Sequence, residues 1–493
     1  MAYGDYQGTA AIDLSKLDSI LTDFYIPRMF EQIKVENPGY EFFKDMSTLV
    51  DWGPGNTATF ATRKKAKRAV VGGTSGRLPQ GGAAQYAKHT FDYTIFRVLI
   101  NFLWDAQMKA GHERYVKNLI DQAMTDAKQE FLRRQNIYLY NGSLGHEGTG
   151  SYDVGGTLTT KTYGASCIVG FLQAATNESS AAGLTAPIRV KGAWRVGDGF
   201  TGSANDVHGG LWLQPGDYIS VADNVTNDLL WFRKVTKVDR STYGSGYASI
   251  TLNADLPTTL VANSPIYLAS PPDSLITDTD GETIVSSANV ELSDFDAKLL
   301  GLANALFDKT YLGTTSAAAG GTDDYWKSII KHNSGTNRAL SFELIDELLL
   351  ELNQQMFTRA DLAIMNPGMW HEFLSLSEAN HAFFNQKTLP IGHQPGTNLR
   401  YTVATATMGQ GDLKILIDQY CPHNRIITCN TEDMGYATAH SMAEASEDGR
   451  FLRASSTTYD EWHGWLRWGG QFISYSPASV GVVQDITQDL TVL

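Results

Sequence analysis

Cysteine is scarce in this chain. Cys167, Cys421 and Cys429 are its only three in 493 residues, too scattered for a disulfide framework, and their odd count fits a reducing compartment. Long apolar runs are absent: no stretch reaches the roughly eighteen residues a membrane-spanning helix needs. The opening MAYGDYQGTAAIDLSKLDS has no basic start leading into an apolar core, so neither a membrane span nor a secretory signal is expected. Positive charge is the minority sign, 39 Lys+Arg against 53 Asp+Glu, for a net charge of −14. That balance argues against generalised nucleic-acid binding and leaves room only for a local basic face.

The usual signatures of chemistry are missing too. Glycine is plentiful, at 46 residues, yet the Gly-x4-Gly-Lys-Ser/Thr spacing of a phosphate loop does not occur. Cys421, His423 and Cys429 form a C-x-H-x5-C run without a fourth ligand at a zinc-like interval, so these cysteines read as structural. His146 and Glu147 are adjacent but have no third ligand. Asp460, Glu461 and His463 have no serine or cysteine on a nucleophile elbow and read as a solvated turn. No catalytic residue, metal or cofactor is expected, and the chain reads as a non-enzyme.

What is present describes a folded protein with room for two to four domains. Residues 1–56 read as an arm, with a short amphipathic helix from Ile12 to Tyr25 ending near Pro27, then NPGY and the breaker cluster WGPGN. The segment has too few apolar residues to enclose a core, so it must lie across its own body or a neighbour. From Thr57 a short strand runs into charge: Arg63, Lys64, Lys65, Lys67 and Arg68 fall within six residues. That run fits nucleic acid or an acidic partner, but is read first as a solvated hairpin arm or a subunit contact. Gly72-Gly73, Gly76 and Gly81-Gly82 make a flexible tip around Arg77, Leu78 and Pro79, and FDYTIFRVLINF returns as a strand. A long helix is then predicted over 113–141. Val116, Leu119, Ile120, Ala123, Met124, Ala127 and Phe131 make one apolar face, and Asn141-Gly142 a stop; at about 1.5 Å per residue it extends roughly 43 Å.

Beyond it, Ser166 to Thr176 reads as a short helix. Leu184 to Ser270 reads as a small β sandwich or barrel, with turn signals every eight to twelve residues. Its Trp194, Trp212 and Trp231 suit a sugar platform but are read as core. Residues 290–450 read as mixed α/β. FELIDELLLELNQQMF forms a helix capped by Ser341, followed by buried strands at Leu362 to Met365, Leu413 to Asp418 and NRIITCN. The tail is rich in aromatics and ends in an alternating strand from Val480.

Taken in order, these segments carry a resemblance. YIPRMFEQIKVENPGYEF, GRLPQGG, the long helix ending in LYNGSLGHEGTG, GTDDYWKSII, DELLLELNQQMFTRADLAIMNP, LKILIDQYCPHNRIIT and YDEWHGWLRWGGQFISYSP resemble a tailed-bacteriophage major capsid protein of the Hong Kong 97 type. The likeness covers nearly the whole chain apart from the β-rich insert.

The resemblance implies an α+β capsid fold with an N-terminal arm (1–56), an extended loop (57–98) and a peripheral domain (99–183) with its spine helix at 113–141. A β-barrel-like insertion domain (184–270), a connector (271–319), an axial domain (320–440) and a C-terminal return (441–493) would follow. It implies self-assembly through pentamers and hexamers into an icosahedral shell around double-stranded DNA held non-specifically, in the virion after synthesis in the host cytoplasm. Separate scaffolding, portal and decoration proteins would be partners, with no membrane. Arg63, Lys64, Lys65, Lys67, Arg68, Arg77, Leu78 and Pro79 would touch a neighbouring subunit. Lys64, Lys65, Lys67 and Lys88 are available for the isopeptide cross-link of some members, but no Asn or Glu partner aligns, so none is expected. Two other readings stand beside this one: an encapsulin-type nanocompartment shell, and a carbohydrate-binding or carbohydrate-active β-rich protein.

Overall fold

The computed structural model describes residues 38–45, 57–65, 85–103, 113–142, 151–153, 158–160, 168–172, 187–192, 210–222, 230–240, 247–253, 265–269, 300–307, 310–312, 314–315, 326–333, 336–356, 359–379, 385–389, 401–408, 411–445, 453–454 and 461–488. Its helices are α1 (Pro38–Asp45), α2 (Glu113–Asn141), α3 (Leu302–Phe307), α4 (Phe342–Met356) and α5 (Pro367–Ala379). With these go a seven-stranded mixed sheet, a four-stranded antiparallel sheet and a closed barrel, so the chain is α+β.

The seven-stranded sheet runs in the order Ile329–Lys331, Val480–Val483, Ile426–Cys429, Leu362–Met365, Gly411–Ile417, Tyr401–Met408, Asn385–Leu389. Its central strands, LAIM, IITC and VGVV, are apolar without alternation because both faces are covered. Ala363, Met365, Ile415, Ile426 and Val483 meet Ile345, Leu348, Leu349 and Leu352 of α4 on one face. Leu362, Ile364, Leu416, Ile427, Val480 and Val482 face the main core on the other. Ser341 Oγ accepts from the Leu344 amide and so caps α4. Asn366 turns the chain from Leu362–Met365 into α5, its Oδ1 accepting from the Gly368 amide.

The four-stranded sheet pairs Thr94–Leu103 with Glu461–Ser474, which also pairs with Met434–Ala445 and Arg453–Ala454. Its inner face presents Phe96 and Trp468 to Phe131 of α2, at ring-centroid distances of 6.3 and 5.8 Å. The sequence pattern suggests a one-sided α2. In the structure Phe131, Arg133 and every residue from Gln135 to Asn141 are buried, because α1, α3, the sheet and the barrel surround the last turns. Helix and neighbour approach backbone to backbone at its end. Gly142 adopts φ +53°, and a Cβ there would fall 2.0 Å from Asn304 Oδ1 and 2.4 Å from the Gly301 nitrogen.

The barrel closes six antiparallel strands in the order Ala248–Leu252, Ile188–Lys191, Ile168–Leu172, Pro265–Ala269, Tyr218–Ala222, Leu230–Asp239. Val169, Phe171, Ile188, Val190, Ile219, Val221, Val235, Ile250 and Ile266 are among its buried residues. This corrects the reading of Ser166 to Thr176 as a short helix: Ile168–Leu172 is a strand, and it takes a place in the barrel ahead of residue 184. IVGFL is too short for a helix and gains its hydrogen bonds from two neighbouring strands. The NPGY segment of the arm packs into the body. Pro38 opens α1, where its missing N–H costs nothing, and Tyr40, Phe42 and Phe43 are buried in the main core. The rest of the arm, 1–37 and 46–56, lies outside the described residues.

Candidate functional site

The feature built to reach outward is the hairpin of Thr57–Lys65 and Gln85–Asp92, a two-stranded sheet joined by no third strand among the described residues. An isolated hairpin is marginal in water, so this one needs anchoring. Alternation supplies it. Ala58 and Phe91 face each other across the strands and are buried against Leu300, Ala305, Tyr311, Leu312, Trp326, Ala437 and Ile473. One step outward, Phe60 packs edge-on to Tyr475 at 5.0 Å, and its partner His89 lies flat on Trp326 at 4.1 Å with the rings 2° apart. His89 Nε2 shares a 2.7 Å hydrogen bond with Thr62 Oγ1, and Trp326 Nε1 donates to the Tyr311 carbonyl at 3.0 Å. The base is thus fixed in the body.

Beyond this base the character changes. Arg63 is exposed and stands directly opposite Tyr86, which is 66% exposed. A register shift between Arg63 and Lys65 bends the strand there. Of the residues expected to make contact, Arg63, Lys64 and Lys65 therefore lie together on one hairpin strand. Lys67, Arg68, Arg77, Leu78 and Pro79 lie outside the described residues. Tyr86 escaped notice in the sequence, yet the alternation Tyr86, Lys88, Thr90 places it on the polar face, where an aromatic is out of pattern.

Two buried polar junctions hold this frame. Asp418, fully buried, accepts from the Gly39 amide at 3.0 Å, Tyr140 Oη at 2.7 Å, Asn136 Nδ2 at 3.0 Å and the Tyr420 amide at 2.9 Å. Asn136 Oδ1 accepts from the Tyr40 amide at 2.9 Å, so α1 has its first-turn donors satisfied by groups far away in sequence. Burial pushes the Asp418 carboxyl above the ordinary range, while these hydrogen bonds oppose the shift.

At the second junction Arg133 donates from Nη1 to the Trp212 carbonyl at 3.1 Å and to Asp217 Oδ2 at 3.2 Å, and from Nε to Glu130 Oε2 at 2.8 Å. Trp212 Nε1 reaches the Tyr420 carbonyl at 2.9 Å, so Trp212 is core, as read. Trp194 and the Trp231 side chain lie outside the described residues.

Among the described residues no three His, Cys, Asp or Glu side chains gather to hold a metal, and no helix is long and apolar enough to cross a membrane. His146, Glu147 and Asp460 fall outside the described residues, as does the Glu461 side chain. Cys421 and Cys429 are free, fully buried thiols whose pKa is raised well above normal, first by desolvation and then by nearby carboxylates. Iodoacetamide at pH 8 is therefore expected to leave both unmodified in the folded protein and to label both in urea, read by peptide mass spectrometry. Labelling of either at the rate of a free thiol under native conditions would refute their structural assignment.

No protein-family model and no curated protein sequence matches the chain. Among solved structures it is similar to a chain of the cyanophage A-1(L) capsid asymmetric unit, at 12% identity and TM-score 0.45, covering 94% of this chain and 96% of that one. It is also similar to the capsid of an empty GTA particle, at 7% identity and TM-score 0.42, covering 95% and 97%. Against the holo-SrpI encapsulin complex of Synechococcus elongatus PCC 7942 the values are 11%, 0.24, and 37% of this chain with 59% of that one.

Proposed function

We propose that this chain is a structural subunit of a closed shell, the major capsid protein of a tailed phage of the Hong Kong 97 type, and not an enzyme. The observation that carries the reading is the hairpin: its base is locked by the His89–Trp326 stack, while its outer end exposes Arg63 opposite Tyr86 with no third strand beside it among the described residues. A rigidly rooted, basic and aromatic projection suits contact with a neighbouring copy, and repeated head-to-tail contacts of this kind close into rings and shells.

On this reading residues 57–98 form the extended loop, α2 the spine of the peripheral domain and residues 320–440 the axial domain. The barrel is an inserted domain fastened to α2. Arg63, Lys64, Lys65, Lys67, Arg68, Arg77, Leu78 and Pro79 make the inter-subunit contact. The particle would enclose double-stranded DNA, with scaffolding, portal and decoration proteins as separate chains.

The test is electron microscopy with size-exclusion chromatography on the full chain, expressed alone and with its neighbouring reading frames. Rings, or closed shells, are the expected result. A stable monomer or dimer under every condition would overturn it, and glycan-array binding by that monomer would favour the carbohydrate reading. Shells filled with one protein cargo and free of DNA would favour a nanocompartment.

A further inference from the structure

Thr94–Leu103 and Glu461–Ser474 pair so that Arg97 stands directly opposite Arg467. Directly opposed residues of antiparallel strands project to the same side with their Cβ atoms about 5 Å apart, and like charges there repel. Phe96, Val98, Leu466 and Trp468 take the core side, which puts both arginines on the outer face, where both are exposed. Among the described residues neither guanidinium has a hydrogen-bond or ion-pair partner. Half-buried Ile95 shares that face with Arg97, so an apolar side chain lies beside the pair. In a chain of net charge −14, a self-repelling arginine pair without a counter-ion among the described residues violates its local rule with no return from them.

The opposite anomaly sits on α4. Asp346 and Glu347 are exposed in its second turn, following exposed Glu343. Glu343 is explained locally, since an acid in the first turn favours the helix dipole, but Asp346 and Glu347 only add like charge at i+3 and i+4. On the same stripe comes Leu350, 48% exposed, which with Tyr86 makes the two exposed large apolar side chains among the described residues. None of these three acidic groups has an ion-pair partner among the described residues.

We propose that Arg97 and Arg467 of one copy receive Asp346 and Glu347 of a second copy, with Leu350 seated against Ile95 and the arginine stems. The inference rests on the shell reading and names a contact distinct from the hairpin. Each patch repels itself alone, and joining them relieves both. Guanidinium forks suit carboxylates in pairs, and their methylene stems cover an exposed leucine. The two surfaces differ, so the contact is head-to-tail and propagates into an assembly.

The test compares the wild-type full chain with three reversed variants: Arg97→Glu with Arg467→Glu, Asp346→Lys with Glu347→Lys, and all four together. Each reversed pair is expected to raise the concentration needed for assembly by about tenfold or more in light scattering, and the fourfold variant to return to within about threefold of wild type. The milder Arg97→Gln with Arg467→Gln, which keeps the exposed polar surface, should weaken assembly and flatten its salt dependence should a reversed pair fold poorly. Reversed pairs that assemble like wild type would overturn the contact while leaving the shell reading intact. A fourfold variant without rescue would do the same. A defect confined to nucleic-acid content of normal particles would identify the arginine pair as a DNA contact instead. A wild-type chain that never assembles would remove the shell reading and this contact with it.

Discussion

Replacing Asp418 with alanine is expected to lower stability by about 3–5 kcal/mol, among the largest effects of any single substitution in this chain. The carboxylate gathers four donors from three parts of the molecule: the Gly39 amide of α1, Asn136 and Tyr140 of α2, and the Tyr420 amide just beyond the strand it ends. Alanine leaves all four buried where water does not replace the lost acceptor, and each unsatisfied group costs about 1–3 kcal/mol before relaxation. Space is tight as well. A Cβ on Gly39 would lie 2.5 Å from Asp418 Oδ2, so α1 cannot be moved closer to find another partner.

Asp418→Asn keeps one acceptor oxygen and turns an amide donor toward other donors, so about half the alanine loss is expected. Its pH behaviour separates the two protonation states. Burial raises the folded pKa, so the proton binds the native state more tightly than the unfolded one. That contribution is full below the ordinary carboxylate pKa and is lost as pH rises through the raised folded value. The stability advantage of wild type over Asp418→Asn should therefore shrink from acid toward neutral pH. Urea unfolding followed by tryptophan fluorescence measures both effects, and an alanine variant within 1 kcal/mol of wild type would refute the junction's importance.

Local pattern made some of this architecture legible and tertiary context hid the rest. The three-and-four spacing from Val116 to Phe131 and the Asn141-Gly142 stop mark α2, because a helix of that length writes many turns of periodicity into its sequence. LAIM before Asn366-Pro367-Gly368 marks a buried strand, a turn and a helix, because each residue's preference agrees with its neighbours'. IVGFL misled, since five apolar residues carry no period of their own and become a strand only through barrel partners far along the chain. Pro38 carried no reading as a helix start, yet a proline that breaks a helix from inside suits its first position. Arg63, Lys64 and Lys65 stood out as a charge run, whereas Tyr86 and the Arg97–Arg467 pair emerge only once strand register brings distant residues face to face. Asp418 and Arg133 gave no signal at all, since a buried charge looks like a surface charge until its partners are known.

Arg133 carries the second large prediction. Its side chain, 1% exposed, is the bolt between α2 and the barrel, and Asp217 opposite is 8% exposed. Arg133→Ala strands a carboxylate that also orders its own turn by accepting from the Gln214 amide at 2.7 Å. The Trp212 carbonyl loses its donor at the same time. A loss of about 3–5 kcal/mol is expected, as for other buried pairs broken on one side, with Asp217→Ala close behind.

Glu130, 40% exposed, adds less and reports on pH. Burial pulls its pKa up, but hydrogen bonds and charge from Arg133 and Arg134 outweigh that and hold it below the usual value. Its contribution is therefore present above the ordinary carboxylate pKa and is lost as pH falls through the lowered one. The barrel should loosen in acid before the rest of the chain, seen as early protease cleavage near residues 210–217. Combining Arg133→Met with Asp217→Leu removes both charges together and fills the space with apolar side chains. The double variant should recover most of either single loss, because desolvating the pair offsets much of its mutual attraction. If the double variant were as unstable as the sum of the singles, the two residues would act independently and the bolt would have to lie in the Trp212–Tyr420 contact instead.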